Sequence, residues 1–444
     1  MTISNLPAAL QAIIQKGYLE RAFQNGLMSK LAFRAVCDKE RFAMKIGETS
    51  TKTRHGLKAP ATDPLDPTTI DSNLDNGLTP SNYTIEQYTM GLDLYGDTID
   101  LNLVTEKVEI ENRFTVNAFV NGEQAIQTLD RLARNKLYDG YMGANTWVRT
   151  TLAAPAVTIN VDDIRHFSEV FVNGVLVPVD ATNTRNVTVG DNVYVLNSVA
   201  ADVTNVSSIA NFGGISGTLT FTTAVTVADG TIGNGVIAEN AAVVLRPNLR
   251  ESTYQLVASD LLTMAIVRQA VTILRNNAVP TINGMYNMYL DSNSMDQLYA
   301  DSEFQLLYRG DSAKSKEYKI GVISALIGVR FITTTETYQQ TLTTGTGDVS
   351  VRRPVLCGRG ILVEGTFDGM NADVAKRTKN NIIQVVNDVV MATRPPIDRL
   401  GMLIGQSWYW AGGYAVPTDS TATSAIIPTA NDSYYKRGVV LETA

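Results

Sequence analysis

Residues 111–140, ENRFTVNAFVNGEQAIQTLDRLARNKLYDG, constrain this chain more than any other stretch. Ala118, Gly122, Ala125, Ile126, Leu129, Ala133 and Leu137 recur at steps of three and four, the spacing of one helix face. Asn112 stands where an N-cap belongs, and Gly140 sits just past the expected end. Glu109 and Glu111 lie at the positive end of the dipole, and Arg131, Arg134 and Lys136 near the negative end. Asp130 and Arg134 are placed for an i,i+4 pair. At ~1.5 Å per residue such a helix spans roughly 40 Å, more than most domains need. It reads as a spine joining distant parts of a subunit; an ordinary long helix of an enzyme has the same pattern.

A chain of 444 residues usually makes two or three domains with large cores. With 44% apolar and 18% charged residues, this chain has the balance of a globular protein, not a disordered one. It has no apolar run of about 18 residues, so no membrane-spanning helix is expected. The N-terminus lacks a basic region ahead of its apolar residues and does not read as a secretory signal. Cys37 and Cys357 make no disulfide framework or metal set, and His55 and His166 are the only histidines. A reducing compartment fits this usage. Charge is segregated. Residues 1–58 carry ten Lys/Arg and four acids, a net of +6; residues 59–113 carry eleven acids and two bases, a net of −9. Opposed patches of this kind can pair within a subunit or between copies, or stand as separately solvated surfaces.

In chain order, residues 5–35 look helical, with Gly17 and Gly26 dividing them into two short helices that form an arm. RFAMKIGE (41–48) reads as a strand. A Pro-, Asp- and Asn-rich stretch follows, and NYTIEQYTMGLDLYGDTIDL returns as a strand, with Tyr83/Ile85 and Met90/Leu92/Leu94 alternating. A loop this long without a core suits an extended hairpin reaching over a neighbour, or a disordered surface loop. Residues 153–250 are rich in Val, Thr, Asn and Gly and poor in charge. Short strand-like runs there are divided by Asn173-Gly174, Gly190-Asp191, Asp229-Gly230 and Asn234-Gly235. This is a small all-β unit, barrel or sandwich, that looks inserted into a parent domain. Residues 256–280 read as a helix capped by Ser259 or Asp260 and stopped by Pro280; MYNMYL (285–290) reads as a buried strand. Ser294 to Gln297 fits a capping box ahead of the helix LYADSEFQLLY. VRFITT and RPVLCGRGILVEG read as strands with a Thr/Gly loop, 340–349, between them. Helix and strand both fit 376–391, and SWYWAGGYAVPT closes the chain as an aromatic strand ahead of a polar tail.

No nucleophile with a base stands out, and no G-x-S-x-G, H-E-x-x-H, P-loop or dinucleotide motif occurs. Asp162, Asp163, His166 and Glu169 cluster on one short stretch, which suits a solvated turn better than a metal or acid–base site. The Asp229–Gly235 segment lacks the carboxylates of a calcium loop and reads as hairpin-turn chemistry. Trp408, Tyr409 and Trp410 read as a buried strand or interface anchor rather than a sugar- or base-stacking platform. The basic arm lacks the interleaved aromatics of a nucleic-acid binder. No catalytic, cofactor-binding or metal-binding residue is assigned, and the chain is read as a non-enzyme.

Three stretches carry a resemblance: QYTMGLDLYGDTIDL (87–101) running into GEQAIQTLDRLARNKLYDG (122–140), YKIGVISALIGVRFITTTET (318–337), and DRLGMLIGQSWYWAGGYA (398–415). With the order of parts around them, the chain resembles the major capsid proteins of tailed bacteriophages, which share the Hong Kong 97-type fold, and is most similar to their podovirus head-protein branch. The resemblance implies an α+β fold in six parts. These are an N-terminal arm (1–40), an extended two-stranded loop (41–100), a peripheral domain with a spine helix (101–152), an inserted small all-β domain (153–250), an axial domain (251–375), and a return to the peripheral domain with a C-terminal tail (376–444). It implies pentamers and hexamers closing an icosahedral shell around double-stranded DNA, which is touched non-specifically. Scaffolding, portal and decoration proteins are partners of the same kind; no cofactor and no membrane is implied, and the place of action is the virion, assembled in the host cytoplasm. Some family members crosslink a loop lysine to a neighbour's asparagine. Lys52 and Lys58 are in the loop, but no asparagine or catalytic glutamate matches, so that chemistry is not carried over. A phage tail or adhesin component, or a carbohydrate-active enzyme with a β accessory domain, are the competing readings.

Overall fold

A computed structural model describes residues 32–42, 49–62, 83, 85–102, 113–172, 175–202, 208, 214–311, 325–344, 347–367, 383–394, 399–417, 426–429 and 436–444. The chain forms two compact units: one from residues 1–52, 89–137 and 362–416, the other from 53–88, 138–361 and 417–444. Content is mixed, with more strand than helix among the described residues.

The first unit is organised on the 13-residue strand Leu403–Ala415. Ile404, Gln406, Trp408 and Trp410 alternate inward with period two and are all buried. This strand pairs antiparallel with Asp93–Asn102, Leu362–Phe367 and Val389–Arg394. Ile383–Val386 pairs beyond Val389–Arg394, and Cys37–Phe42 lies parallel to Leu362–Phe367. Gly413 is required by a close approach: a Cβ there would come within 1.9 Å of the Gly91 carbonyl oxygen. The ambiguity at 376–391 resolves to strand over its described part. Val386 and Val389 face each other across a two-residue turn in which Asn387 and Asp388 take φ of 49° and 67°.

Helix α1 runs Arg113–Met142, 30 residues, about 45 Å at ~1.5 Å per residue. All seven residues of the face read from the sequence are buried. Gly140 does not end it. The helix continues to Met142, and the Gly143 N–H closes the last turn on the Asp139 carbonyl at 3.1 Å. Asn112 lies outside the described residues. Polar bonds tie α1 to the central strand: Asn121 Nδ2 donates to the Gln406 carbonyl (3.2 Å), Gln406 Nε2 to the Phe114 carbonyl (3.1 Å) and Trp408 Nε1 to Gln124 Oε1 (3.1 Å).

The single returning strand expected over 82–101 is two strands, Ile85–Gly91 and Asp93–Asn102. Of the residues expected to alternate inward, Met90 is buried and Leu92 half-buried, but the others are not. Glu86, Tyr88 and Met90 are buried, while Tyr83, Ile85 and Leu94 are exposed. The strand expected at 41–48 begins earlier, at Cys37, and 43–48 lies outside the described residues, as do residues 1–31 of the arm.

In the second unit, six strands close a barrel. Asn145–Trp147, Gly235–Ala238, Arg185–Val189, Asn192–Ala201, Gly217–Val225 and Ala156–Val161 pair in that order, all antiparallel. A Val148–Val161 bridge joins the last strand to the first. Ile159, Val161, Val187, Val189, Leu196, Leu219, Phe221 and Val236 fill its interior, as alternation in a closed sheet requires. It recruits Asn145–Trp147, ahead of the residues read as the β unit. The Asp229–Gly235 segment is not a hairpin turn: the strands on either side of it, Gly217–Val225 and Gly235–Ala238, are not neighbours. Instead it crosses one barrel end, where Asp229 accepts from Tyr194 Oη (2.5 Å), Thr226 Oγ1 (2.7 Å) and Asn192 Nδ2 (3.0 Å).

The same unit holds a second six-stranded sheet, in the order Val244–Leu245, Gly438–Leu441, Val355–Cys357, Tyr286–Leu290, Val329–Thr333, Ala325–Leu326. Tyr286–Leu290 is buried at every position, as its apolar run implies. Helices α2 (Met264–Asn276), α3 (Ser292–Ala300) and α4 (Ser302–Asp311) accompany it. Ile266 and Ala270 of the α2 face and Leu262 just ahead of it are buried in the core; Ile273 packs against it half-buried, and Leu274 joins it fully buried. Neither Ser259 nor Asp260 caps α2: it starts at Met264, whose N–H is held by Asp301 Oδ2 at 2.6 Å. The capping box is displaced by three residues. Asp291 is the N-cap, accepting from Asn293 N, and Ser294 lies inside α3. The Thr/Gly stretch 340–349 is a hairpin, Gln339–Thr344 with Gly347–Arg352, which buries Leu342, Val349 and Val351. RPVLCGRGILVEG divides between the two units' sheets, and Gly438–Leu441 joins this sheet rather than that of Leu403–Ala415.

Candidate functional site

The residues with most chemical potential in the sequence are spent on structure. Asp163 is bound by Arg165, whose Nη1 also reaches Asp139 at 2.7 Å. Burial alone would lower the Arg165 pKa; the hydrogen bond and charge of Asp163 raise it instead. Asp162 accepts from Ser208 Oγ at 2.6 Å. His166 takes φ of 63° with Nε2 3.5 Å from Asp139 Oδ2. Glu169 lines, with His166, Arg185 and Lys436, a cleft of about 110 Å³, below the ~300 Å³ at which small-molecule sites begin. Among the described residues no group of three His, Cys, Asp or Glu side chains could hold a metal ion. At Asp229, burial pushes the carboxyl up, but the bonds from Tyr194, Thr226 and Asn192 hold it below its ordinary value. Trp408 and Trp410 are buried, and Trp410 stacks on Tyr95 and Tyr414 at 6.0 and 5.4 Å, so neither offers a stacking face. Lys52 pairs with Glu40 at 3.2 Å, and Lys58 is exposed.

The described residues also hold architecture suited to contacts with other chains. Thr49–His55 and Ile85–Gly91 pair as a two-stranded ribbon, the size that is marginal alone. Beyond it, 57–62 is exposed without regular structure, and Leu57 is 51% exposed. The residues 63–82 that would complete the loop lie outside the described residues.

The root of the N-terminal segment is fastened by three buried charged residues, Asp130, Arg34 and Glu364, whose role the sequence did not announce. Asp130 Oδ1 accepts from three successive backbone N–H groups, Ala32, Phe33 and Arg34, at 3.2, 2.8 and 3.0 Å. Arg34 forks onto Glu364 with Nε and Nη2, and both side chains are almost wholly buried. Burial would lower the Arg34 pKa; the Glu364 carboxylate more than offsets this and raises it. The neighbouring Cys37 thiol and Tyr414 hydroxyl are pushed up, first by burial and then by the charge of Glu364. The signal for Asp130 was in the sequence, as a carboxylate between Ile126, Ala133 and Leu137 on the apolar face. In the second unit Glu442 joins Arg246 (2.6 Å) and Arg353 (2.8 Å), all buried.

No family model and no curated protein matches the chain. Solved structures do. The capsid of Ralstonia phage GP4 aligns over 93% of this chain and 88% of its own at 10% identity, TM-score 0.49. The capsid of cyanophage P-SCSP1u aligns over 94% and 88% at 9% identity, TM-score 0.48. The cyanophage Pam1 capsid aligns over 92% and 89% at 11% identity, TM-score 0.48. The structures this chain resembles are phage capsid proteins.

Proposed function

We propose that this chain is the major capsid protein of a tailed phage, self-assembling as pentamers and hexamers into an icosahedral shell around double-stranded DNA. The observation that carries the reading is the order of parts. A paired ribbon (Thr49–His55 with Ile85–Gly91) precedes a 30-residue helix. A separate unit with its own sheet and helices follows, and the chain then returns to a long strand, Leu403–Ala415, paired with Asp93–Asn102 beside that helix. In this reading α1 is the spine of a Hong Kong 97-type peripheral domain, the ribbon is the base of the extended loop, and the barrel is an inserted domain. Subunits of such a shell meet through heterologous contacts that close into rings, and a loop with no core of its own finds cover on a neighbour. Scaffolding, portal and decoration proteins would be partners, and the protein would act in the virion after assembly in the host cytoplasm. No arrangement of carboxylates or nucleophiles among the described residues favours the enzyme alternative.

The test is assembly. The expressed chain, imaged by negative stain with and without a scaffold, should yield rings, shells or tubes. Deleting residues 56–82 should leave a folded subunit that no longer builds a stable shell. A persistent monomer under every assembly condition would overturn the reading; normal particles from the deletion would remove the interlocking role of the loop.

A further inference from the structure

Three Asn-Gly pairs fall among the described residues, and the fold treats them differently. Asn121 is buried within α1, its Nδ2 donating to the Gln406 carbonyl. Asn234 Nδ2 donates to the carbonyls of Ala228 (2.9 Å) and Asp229 (3.1 Å), and the Gly235 N–H points to Glu251 Oε2 at 3.4 Å. Asn283-Gly284 forms a tight two-residue turn, with Ile282 and Met285 exchanging backbone bonds of 2.8 and 3.2 Å. Asn283 is exposed, takes φ of 51°, and neither its side chain nor the Gly284 N–H has a partner among the described residues. Gly284 has open space where a side chain would stand.

We propose that Asn283 is a site of spontaneous deamidation, protected at Asn121 and Asn234 and open here. The Gly284 backbone nitrogen gives its proton to solvent base and attacks Asn283 Cγ. A nitrogen–Cγ bond forms, the Cγ–Nδ2 bond breaks, and ammonia leaves. The resulting five-membered succinimide then adds one water at either carbonyl and opens to aspartate or isoaspartate. The balance is asparagine plus water to acid plus ammonia, with no oxidant or reductant. Glycine matters because no Cβ hinders ring closure. The isoaspartate product adds a carbon to the main chain of the turn that introduces the core strand Tyr286–Leu290. A tight turn with φ > 0 at both central residues does not accommodate that change.

The test is peptide mapping of the full chain after incubation at mildly alkaline pH, with isoaspartate labelled by a protein isoaspartyl methyltransferase. Label should appear at Asn283 about thirtyfold faster than at Asn234, the weight of the two ordinary hydrogen bonds that Asn234 must break first. In denaturant the two rates should converge, because the difference comes from the fold. Asn283→Ala removes the carboxamide that the Gly284 nitrogen attacks, and should abolish label at that position and leave the rate at Asn234 unchanged. Equal rates in the folded chain, or an intact Asn283 while Asn234 converts, would overturn the proposal. The test does not depend on assembly.

Discussion

The barrel and the sheet around Leu403–Ala415 solve the same problem in opposite ways. The barrel takes all six strands from one stretch, residues 145–238, closes on itself through Val148 and Val161, and fills its own interior. The other sheet gathers strands from 37–42, 93–102, 362–367, 383–394 and 403–415, and its edge strand is held by an Arg34–Glu364 pair 330 residues apart. A closed barrel leaves no edge and needs short loop closures; an open sheet of distant segments depends on each tie that closes a long loop. The first should tolerate local damage locally, and the second should fail as a whole.

The largest expected effect is therefore at the long-range tie. Glu364→Gln leaves Arg34 buried without its counter-charge and should cost roughly 3–5 kcal/mol. Loss of protection in hydrogen exchange should reach Cys37–Phe42, Leu362–Phe367 and Leu403–Ala415 together. An effect confined to Cys37–Phe42 would mean the sheet does not fail as a whole. In the barrel, Leu196→Ala removes a fully buried side chain and should cost roughly 2–5 kcal/mol. Here exchange should rise in barrel strands alone, and faster exchange in Leu403–Ala415 would break the contrast.

The same division decides what could be read from the sequence. Helix α1 was legible because its period is local: all seven face residues are buried. So was the β character of 153–250, where turn dipeptides and short runs stand side by side. The sheet partners were not legible. Nothing near Cys37 indicates that it will lie parallel to Leu362, and the inward parity of 83–94 depends on partners outside that stretch. The hairpin at 339–352 read as a loop because threonines outnumber the three apolar residues, Leu342, Val349 and Val351, that it buries. Of the fastening charges, only Asp130 left a local trace. Arg34, Glu364 and Glu442 look like any surface charge until distant segments meet.

A pH titration sharpens the comparison at the second unit's open sheet, beside Gly438–Leu441. Arg246 and Arg353 overcome the burial that would raise the Glu442 carboxyl and hold it at about 2, against 4.5 for the free group. The folded value is depressed, so the stabilisation is complete above the unfolded pKa and is lost as pH falls through the folded one, from 4.5 towards about 2. Glu442→Gln should remove that part of the acid dependence as well as destabilise the second unit near neutral pH. An acid-unfolding curve of unchanged shape would show that another group sets it.

The smallest effect is predicted on the strand paired with the one that carries the largest. Lys39 and Glu364 are register partners in the parallel pair, and Lys39 makes its ion pair with Asp388 at 3.3 Å. That pair lies in solvent, with side chains 58% and 36% exposed, whereas Arg34 and Glu364 are at 4% and 0%. Water screens the Lys39 charge before and after its partner is lost, so Lys39→Ala should change stability by about 0–1 kcal/mol, most of it erased by salt. The measurement is denaturant unfolding at low and high ionic strength. A salt-insensitive loss as large as that of Glu364→Gln would mean that the strand's hold on the sheet edge, rather than burial of the charge, is what both substitutions report.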